Sequence, residues 1–234
     1  MKHWIRLLRV KDWYKNVTVL LGFILALYYT NTNITLNFFM SISLALFFTC
    51  ILSSSNYILN AINDKEYDKK HPIKKNRPLP KNIIKTHHAM IAMIMLLMLS
   101  MFLSLLLGNM LVSISLFGLF IASILYNTPP IRLKDKPYAD VISESINNPI
   151  RFLIGWFIVT NIVPTILLLM LVWVLGGYLM TKKRLNELID SKEMLCAYRK
   201  VFNYYTKKKL GAAMAVYIIL SFLFSSFLGL KMLF

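Results

Sequence analysis

The chain has only 10 Asp and Glu against 27 Lys and Arg, so the positions of its acids carry information. Asn60, Asp64 and Asp68 follow i, i+4 and i+8, and Asp140, Glu144, Asn147 and Arg151 follow i, i+4, i+7 and i+11. On a helix each set shares one face, with steps of roughly 6 Å. A face of oxygen ligands can hold a divalent cation, and magnesium typically takes one or two carboxylates and fills its other positions with substrate phosphates. The alternative for the first set is a solvated helix end whose acids pair with Lys65, Lys69 and Lys70. For the second it is an internal Glu144–Arg151 pair that only ties two spans together, although ionisable groups entering an apolar segment are functional candidates by default. Two acidic faces among many cations suit a diphosphate bridged by metal, because cations and magnesium neutralise the charge that builds on a leaving diphosphate. There is no Gly-rich phosphate loop and no nucleophile elbow, and His3, His71, His87 and His88 lack metalloprotease spacing, which disfavours a motor ATPase or a serine hydrolase.

The elements that must position these residues are membrane spans. Of the 234 residues, 57% are hydrophobic and 16% charged, and the mean hydropathy of +0.59 is too high for a soluble domain of this size. Apolar stretches near residues 16–31, 36–59, 86–107, 109–126, 141–160, 162–180 and 210–230 predict an all-α, multi-span transmembrane bundle of about seven spans in a single domain, 1–234. The first, third and fifth links contain no Lys or Arg, whereas the second, fourth and sixth are crowded with them. The positive-inside rule then predicts a cytoplasmic N-terminus, cytoplasmic basic loops and an outside C-terminus, in a plasma or inner membrane. All ten acids fall on or near that cytoplasmic side, which is where an active site is expected. The net charge of +17 is explained mostly by loop orientation and contact with anionic membrane lipids. No base-reading module accompanies it, so no nucleic-acid partner is expected. Residues 1–15 mix Trp4, Leu7, Leu8 and Trp13 with Arg6, Arg9, Lys11 and Lys15, the pattern of an interfacial amphipathic helix rather than a cleaved signal. Cys50 and Cys196 give no disulfide framework.

The run from Asn60 through Asp64 and Asp68 to His71-Pro72, Lys74-Lys75 and Arg77-Pro78 resembles the first aspartate-rich motif of the UbiA-type membrane prenyltransferase superfamily. It is most similar to the branch containing decaprenyl-phosphate phosphoribosyltransferase. Arg9 to Asn16 resembles that branch's N-terminal signature, and Asp140 through Arg151 to Gly155 resembles its second motif. Lys183-Arg184 with Glu187, then Tyr198 and Tyr205, resembles its last cytoplasmic loop. The resemblance implies an all-helical bundle with a cavity open to the cytoplasm and to lipid. It implies Mg2+ as cofactor, with Asp64, Asp68, Asp140 and Glu144 catalytic, held as metal ligands together with Asn60. Lys75, Arg77, Lys134, Arg151, Lys183 and Arg184 are the implied phosphate contacts. Departures are Ala61 where many relatives have an acid, Pro80-Lys81-Asn82 in place of small residues and glycine, and the pair Asn147-Asn148. Seven spans also fall short of the superfamily's usual nine, so a truncated C-terminus or a homo-oligomer that completes the wall is expected.

Three functions stay open at this level. The first is a Mg-dependent transferase that ionises a prenyl diphosphate donor and passes the prenyl group to an aromatic or lipid acceptor. The second transfers from phosphoribosyl diphosphate to a polyprenyl phosphate, and Asn147, Asn148, Lys15 and Asn16 favour the polar donor cup it needs. The third is a truncated, non-catalytic membrane protein that binds lipid or a partner. The acidic spacing argues against the third, because a scaffold has no need of it.

Overall fold

A computed structural model describes the backbone of residues 1–196 and 199–233, and the side chains of 1–189 and 199–229. The chain is helical throughout, in the order α1 (Lys2–Leu8), α2 (Val17–Thr30), α3 (Leu36–Asn63), α4 (Lys65–Lys70), α5 (Thr86–Leu105), α6 (Met110–Asn127), α7 (Ala139–Ser145), α8 (Asn147–Trp156), α9 (Ile166–Cys196) and α10 (Lys207–Leu233). Short 3-10 turns at Val10–Asn16, Lys74–Asn76, Leu133–Asp135 and Lys200–Asn203 fill the basic links.

Five of the seven predicted stretches form helices long and apolar enough to cross a membrane: α3, α5, α6, α9 as far as Ile189, and α10 as far as Gly229. The other two are shorter. α2 has 14 residues, about 21 Å of helix, because residues 10–16 ahead of it wind as a 3-10 turn. The stretch 141–160 divides into α7 and α8 at Ile146. Backbone bonding still crosses the join, the Ile146 N–H donating to Ile142 O at 3.2 Å and the Ile150 N–H to Ile146 O at 3.4 Å, while Ser145 Oγ also donates to the Ile142 carbonyl and Asn147 Nδ2 to that of Glu144. Pro149 sits in the first turn of α8, where its missing N–H is not needed.

The links without Lys or Arg are closed by local chemistry. Asn31 in the left-handed region ends α2, and Thr35 Oγ1 accepts the Phe38 N–H to start α3. Gly108, at φ 69°, takes the turn between α5 and α6 that a side chain would oppose, and Asn109 caps Leu111 and Val112. The core joins Val19, Phe23 and Ala26 of α2, Ala45, Phe48 and Leu52 of α3, Leu116 and Leu119 of α6, and Phe152 and Trp156 of α8. Water-free packing gives little hydrophobic drive between spans, so small residues and hydroxyls carry the contacts. Ser55 donates to Met93 O, Ser100 to Phe48 O and Ser104 to Ser113. α2 and α8 touch backbone to backbone, for a Cβ on Gly155 would lie 1.8 Å from Val19 O and one on Gly22 2.0 Å from Phe152 O.

Candidate active site

The first acidic segment keeps the face that its spacing predicts. α3 formally ends at Asn63, yet the Asp64 N–H donates to Asn60 O at 3.0 Å and the Asp68 N–H to Asp64 O at 2.8 Å, so helical i to i−4 bonding runs across the join. The Asp64 carboxylate accepts Lys134 Nζ at 2.6 Å and Arg132 Nη2 at 2.9 Å, both on Oδ1. Lys134 Nζ also reaches Asn60 Oδ1 at 3.2 Å and Asn127 Oδ1 at 3.1 Å. Asp68 Oδ2 accepts Arg77 Nη1 at 2.8 Å. The neighbouring lysines are not the partners: Lys69 pairs with Glu66 and Lys65 donates to Thr86. Burial works to raise the Asp64 carboxyl, but Lys134 and Arg132 outweigh it and hold it below its ordinary value. Burial in turn pushes the Lys134 ammonium down to about 8 despite Asp64.

The second segment is closed around Arg184. This guanidinium, only 1% exposed, donates to Asp140 Oδ2 at 2.8 Å, Glu144 Oε2 at 2.7 Å and Glu187 Oε2 at 3.1 Å. The other oxygen of fully buried Asp140 accepts the Tyr205 hydroxyl. Tyr126 OH donates to Glu144 Oε2 at 3.0 Å and accepts from Arg199 at 3.0 Å. Lys183 Nζ lies 3.7 Å from Glu144 Oε1. Burial and Asp140 push the Tyr205 hydroxyl up from its usual range.

Topology brings the two segments to one end of the bundle. α3, α6 and the described part of α9 all run toward it, and α7 starts from it. Consecutive residues at the end of α6 join them: Asn127 accepts from Lys134, the partner of Asp64, while Tyr126 donates to Glu144. Among the described residues, six carboxylates (Asp64, Asp68, Asp135, Asp140, Glu144 and Glu187) meet six cations (Arg77, Arg132, Lys134, Lys183, Arg184 and Arg199) within 4 Å. The cluster is therefore electrically balanced, and a metal diphosphate would enter it by exchanging partners, with phosphate taking cations and metal taking carboxylates. Carboxylate and amide oxygens are the donor type that magnesium selects. Asp64 Oδ2 and Asp68 Oδ1 accept no hydrogen bond from described residues. No three His, Cys, Asp or Glu side chains among the described residues close on one point, because each acid is turned to a cation.

The other candidates are distributed as follows. Lys75 is exposed in the loop after α4. Lys15 pairs with Asp12 at 3.1 Å. Asn16 is buried, donating to Cys50 Sγ and accepting from Ser53 and from Arg151 Nε. Arg151 thus bonds Asn16 and forms no pair with Glu144. Asn147 turns back on the Glu144 carbonyl, and Asn148 packs on Gly176 of α9. Tyr198 lies outside the described residues. The sequence expectations placed none of Arg132, Arg199 and Tyr126 among the site residues. The polar pair Tyr126-Asn127 at the end of an apolar run was the available signal for the last. An apolar groove of about 400 Å³ runs between α7, α9 and α10 beside this cluster, lined by Val141, Ile142, Leu210, Ala213, Val216 and Tyr217 among others.

Comparison with known proteins gives the fold and the family. A structure of a UbiA homolog from Archaeoglobus fulgidus bound to GPP and Mg2+ superposes with a TM-score of 0.72 at 23% identity, over 93% of this chain and 76% of that one. The same homolog bound to DMAPP and Mg2+ gives 0.72 at 22% identity, over the same shares. Its Cd2+-bound form gives 0.64 at 20%, over 96% and 88%. No curated protein matches the chain. A family model described as the UbiA prenyltransferase family matches residues 16–234, and the chain belongs to that family.

Proposed function

We propose that this integral membrane transferase moves a prenyl group from a prenyl diphosphate to an aromatic or lipid acceptor, with Mg2+ as cofactor, at a site facing the cytoplasm. The observation that carries the reading is the chain of bonds from Asp64 through Lys134, Asn127 and Tyr126 to Glu144, which joins two separate acidic segments at one end of the bundle. Asn60, Asp64 and Asp68 would hold one magnesium ion, and Asp140 and Glu144 a second. When bound, the metal supplies Lewis-acid neutralisation of the leaving diphosphate. The remaining work falls to the chain's own cations. Arg77, Arg132, Lys134, Lys183, Arg184 and Arg199 are already gathered at the acids, and they can take phosphate oxygens as the carboxylates release them. The prenyl C1–O bond breaks with its electron pair leaving on diphosphate. The acceptor's nucleophilic atom forms the new bond to C1, and its proton passes to water.

The groove beside α7 offers an apolar wall for an isoprenoid chain. The residues that favoured a polar, phosphoribosyl-binding cup are engaged elsewhere: Asn147 on a backbone carbonyl, Asn148 on Gly176 and Asn16 on Cys50. A prenyl donor is also what the solved Archaeoglobus fulgidus homolog holds. The basic links, together with α2 and the α7–α8 pair as two further short crossings, support seven spans and a cytoplasmic N-terminus.

Purified protein is incubated with Mg2+, a radiolabelled prenyl diphosphate and candidate acceptors. Label is expected in product with the wild type. Turnover should fall by at least about 100-fold in Asp64→Asn and Asp68→Asn, while both variants elute and melt as folded protein. Transfer at the wild-type rate in either variant would refute the site.

A further inference from the structure

The turn between α9 and α10 sends one uncharged side chain into the acid cluster. Tyr204 is 59% exposed, whereas Tyr205 beside it is 1% exposed. The Tyr205 ring packs with Val201 and Phe202 of the turn, Leu188 of α9 and Leu210 of α10 in a small core of its own. It meets the rings of Phe202 and Tyr138 edge to face, at 6.1 and 5.7 Å between centroids. A ring held on so many sides fixes where its hydroxyl points. That hydroxyl donates to Asp140 Oδ1 and accepts the Tyr138 N–H at 2.9 Å, so both of its bonds fall on the entry of α7. Tyr138 has φ 62° and ψ −36°, a conformation that opposes a side chain and persists only where the surroundings impose it. The bond to Tyr205 is such a restraint. Asp140 follows two residues later and Glu144 one turn after that, so the entry of α7 sets the placement of both acids. Charge separates Tyr205 from the other partners of Asp140. Oδ2 faces Arg184 at 2.8 Å and Arg199 at 3.6 Å, the guanidinium groups that a diphosphate would draw away. A neutral hydroxyl gains less from phosphate than a guanidinium does, so Tyr205 stays on Oδ1 while Oδ2 changes partner.

We infer that Tyr205 is a positioning residue for magnesium: by tying Asp140 Oδ1 to the Tyr138 N–H it fixes the entry of α7 and leaves Asp140 Oδ2 to the metal when Arg184 turns to phosphate. This rests on the transferase reading above, in which Asp140 and Glu144 hold the second ion. The melting temperature of the full chain in detergent is followed as Mg2+ is titrated at fixed inorganic pyrophosphate, and the Mg2+ dependence of prenyl transfer is measured beside it. Tyr205→Phe keeps the ring and removes only the hydroxyl. It should raise the Mg2+ concentration at half effect by about tenfold or more in both measurements. Asp140→Asn should raise it as well, and adding Tyr205→Phe to Asp140→Asn should raise it no further, because the hydroxyl acts through that carboxylate. Phe202→Leu disturbs the same small core with the hydroxyl intact, and should lower the melting temperature without moving the Mg2+ midpoint. Tyr138→Gly suits the positive φ, so combining it with Tyr205→Phe restores a folded protein if the single variant folds poorly, and the midpoint should stay raised there. An unmoved midpoint in Tyr205→Phe or in that combination, or one that moves equally in Phe202→Leu, overturns the proposal. A wild type that does not respond to Mg2+ with pyrophosphate overturns the metal site, and the transferase reading with it. A midpoint raised by Tyr205→Phe, in a protein that transfers from no prenyl donor, would uphold the positioning role and refute the transferase reading alone.

Discussion

His71 shows at the scale of one residue how the loop beside Asp68 is set. Its Nδ1 accepts the N–H groups of Ile73 at 3.1 Å and Lys74 at 3.3 Å, which only an unprotonated nitrogen can do. Burial first, then Lys74 and Arg77, push the imidazole from 6.5 down to about 4. Between these values the unfolded chain binds a proton that the folded chain refuses, so this contribution to stability is complete above pH 6.5 and is lost as pH falls toward 4. His71→Asn keeps a side-chain acceptor at the turn and cannot titrate. The melting temperature of the wild type in detergent is therefore expected to drop more between about pH 7 and about pH 5 than that of His71→Asn; parallel drops would assign the acid sensitivity to other groups. Residue types were legible at this scale where partners were not. The spacing of Asn60, Asp64 and Asp68 fixed a shared face, but the cations that meet Asp64 come from positions 68 and 70 residues further on. Local charge pointed instead to Lys65 and Lys69. Only tertiary contact could reveal Lys134 as the partner.

Among elements, the α2–α8 crossing holds Asn16 and Arg151 together. Val19 and Gly22 of α2 face Phe152 and Gly155 of α8 at backbone contact, and Arg151 stands one turn before Gly155. Gly155→Ala would place a methyl carbon 1.8 Å from a carbonyl oxygen, so the helices must separate. The expected loss is about 2 kcal/mol or more of stability, read as a lower melting temperature together with a weakened Arg151–Asn16 contact. Gly118→Ala meets nothing within 4 Å and serves as the matched control, expected to melt like the wild type or slightly above it. Equal effects of the two substitutions would remove the close crossing from the account. Hydropathy placed the ends of α3, α5 and α6 well, because long apolar runs leave little choice of element. It overextended 141–160, which divides into two short helices at Ile146, whereas 16–31 matches α2 to within one residue at each end and falls short only in length.

For the whole molecule, helix length fixes the depth of the acid cluster. α3 has 28 residues, about 42 Å of helix at a rise of about 1.5 Å per residue, against a hydrocarbon core of about 30 Å. Its ends must therefore lie on opposite sides, with the last turns, from Tyr57 to Asn63, emerging at headgroup level. The diphosphate of a donor anchored in lipid by its chain lies at that level, so Asp64 and Asp68 would meet it without either charge entering hydrocarbon. The end that emerges near the acids carries the exposed Lys75 loop, and the opposite end carries Asn33, exposed in a link without Lys or Arg. In a background of Cys50→Ser and Cys196→Ser, where the first replacement still offers Asn16 a hydroxyl acceptor, single cysteines introduced at these two positions separate the faces. A membrane-impermeant maleimide should label Lys75→Cys in inverted vesicles and spare it in intact cells, and should label Asn33→Cys in intact cells only. Labelling of both positions from one side would contradict the span of α3. The reverse pattern would keep the span but move the acid cluster to the outer face, where the charge asymmetry of the loops gives no reason for it to be.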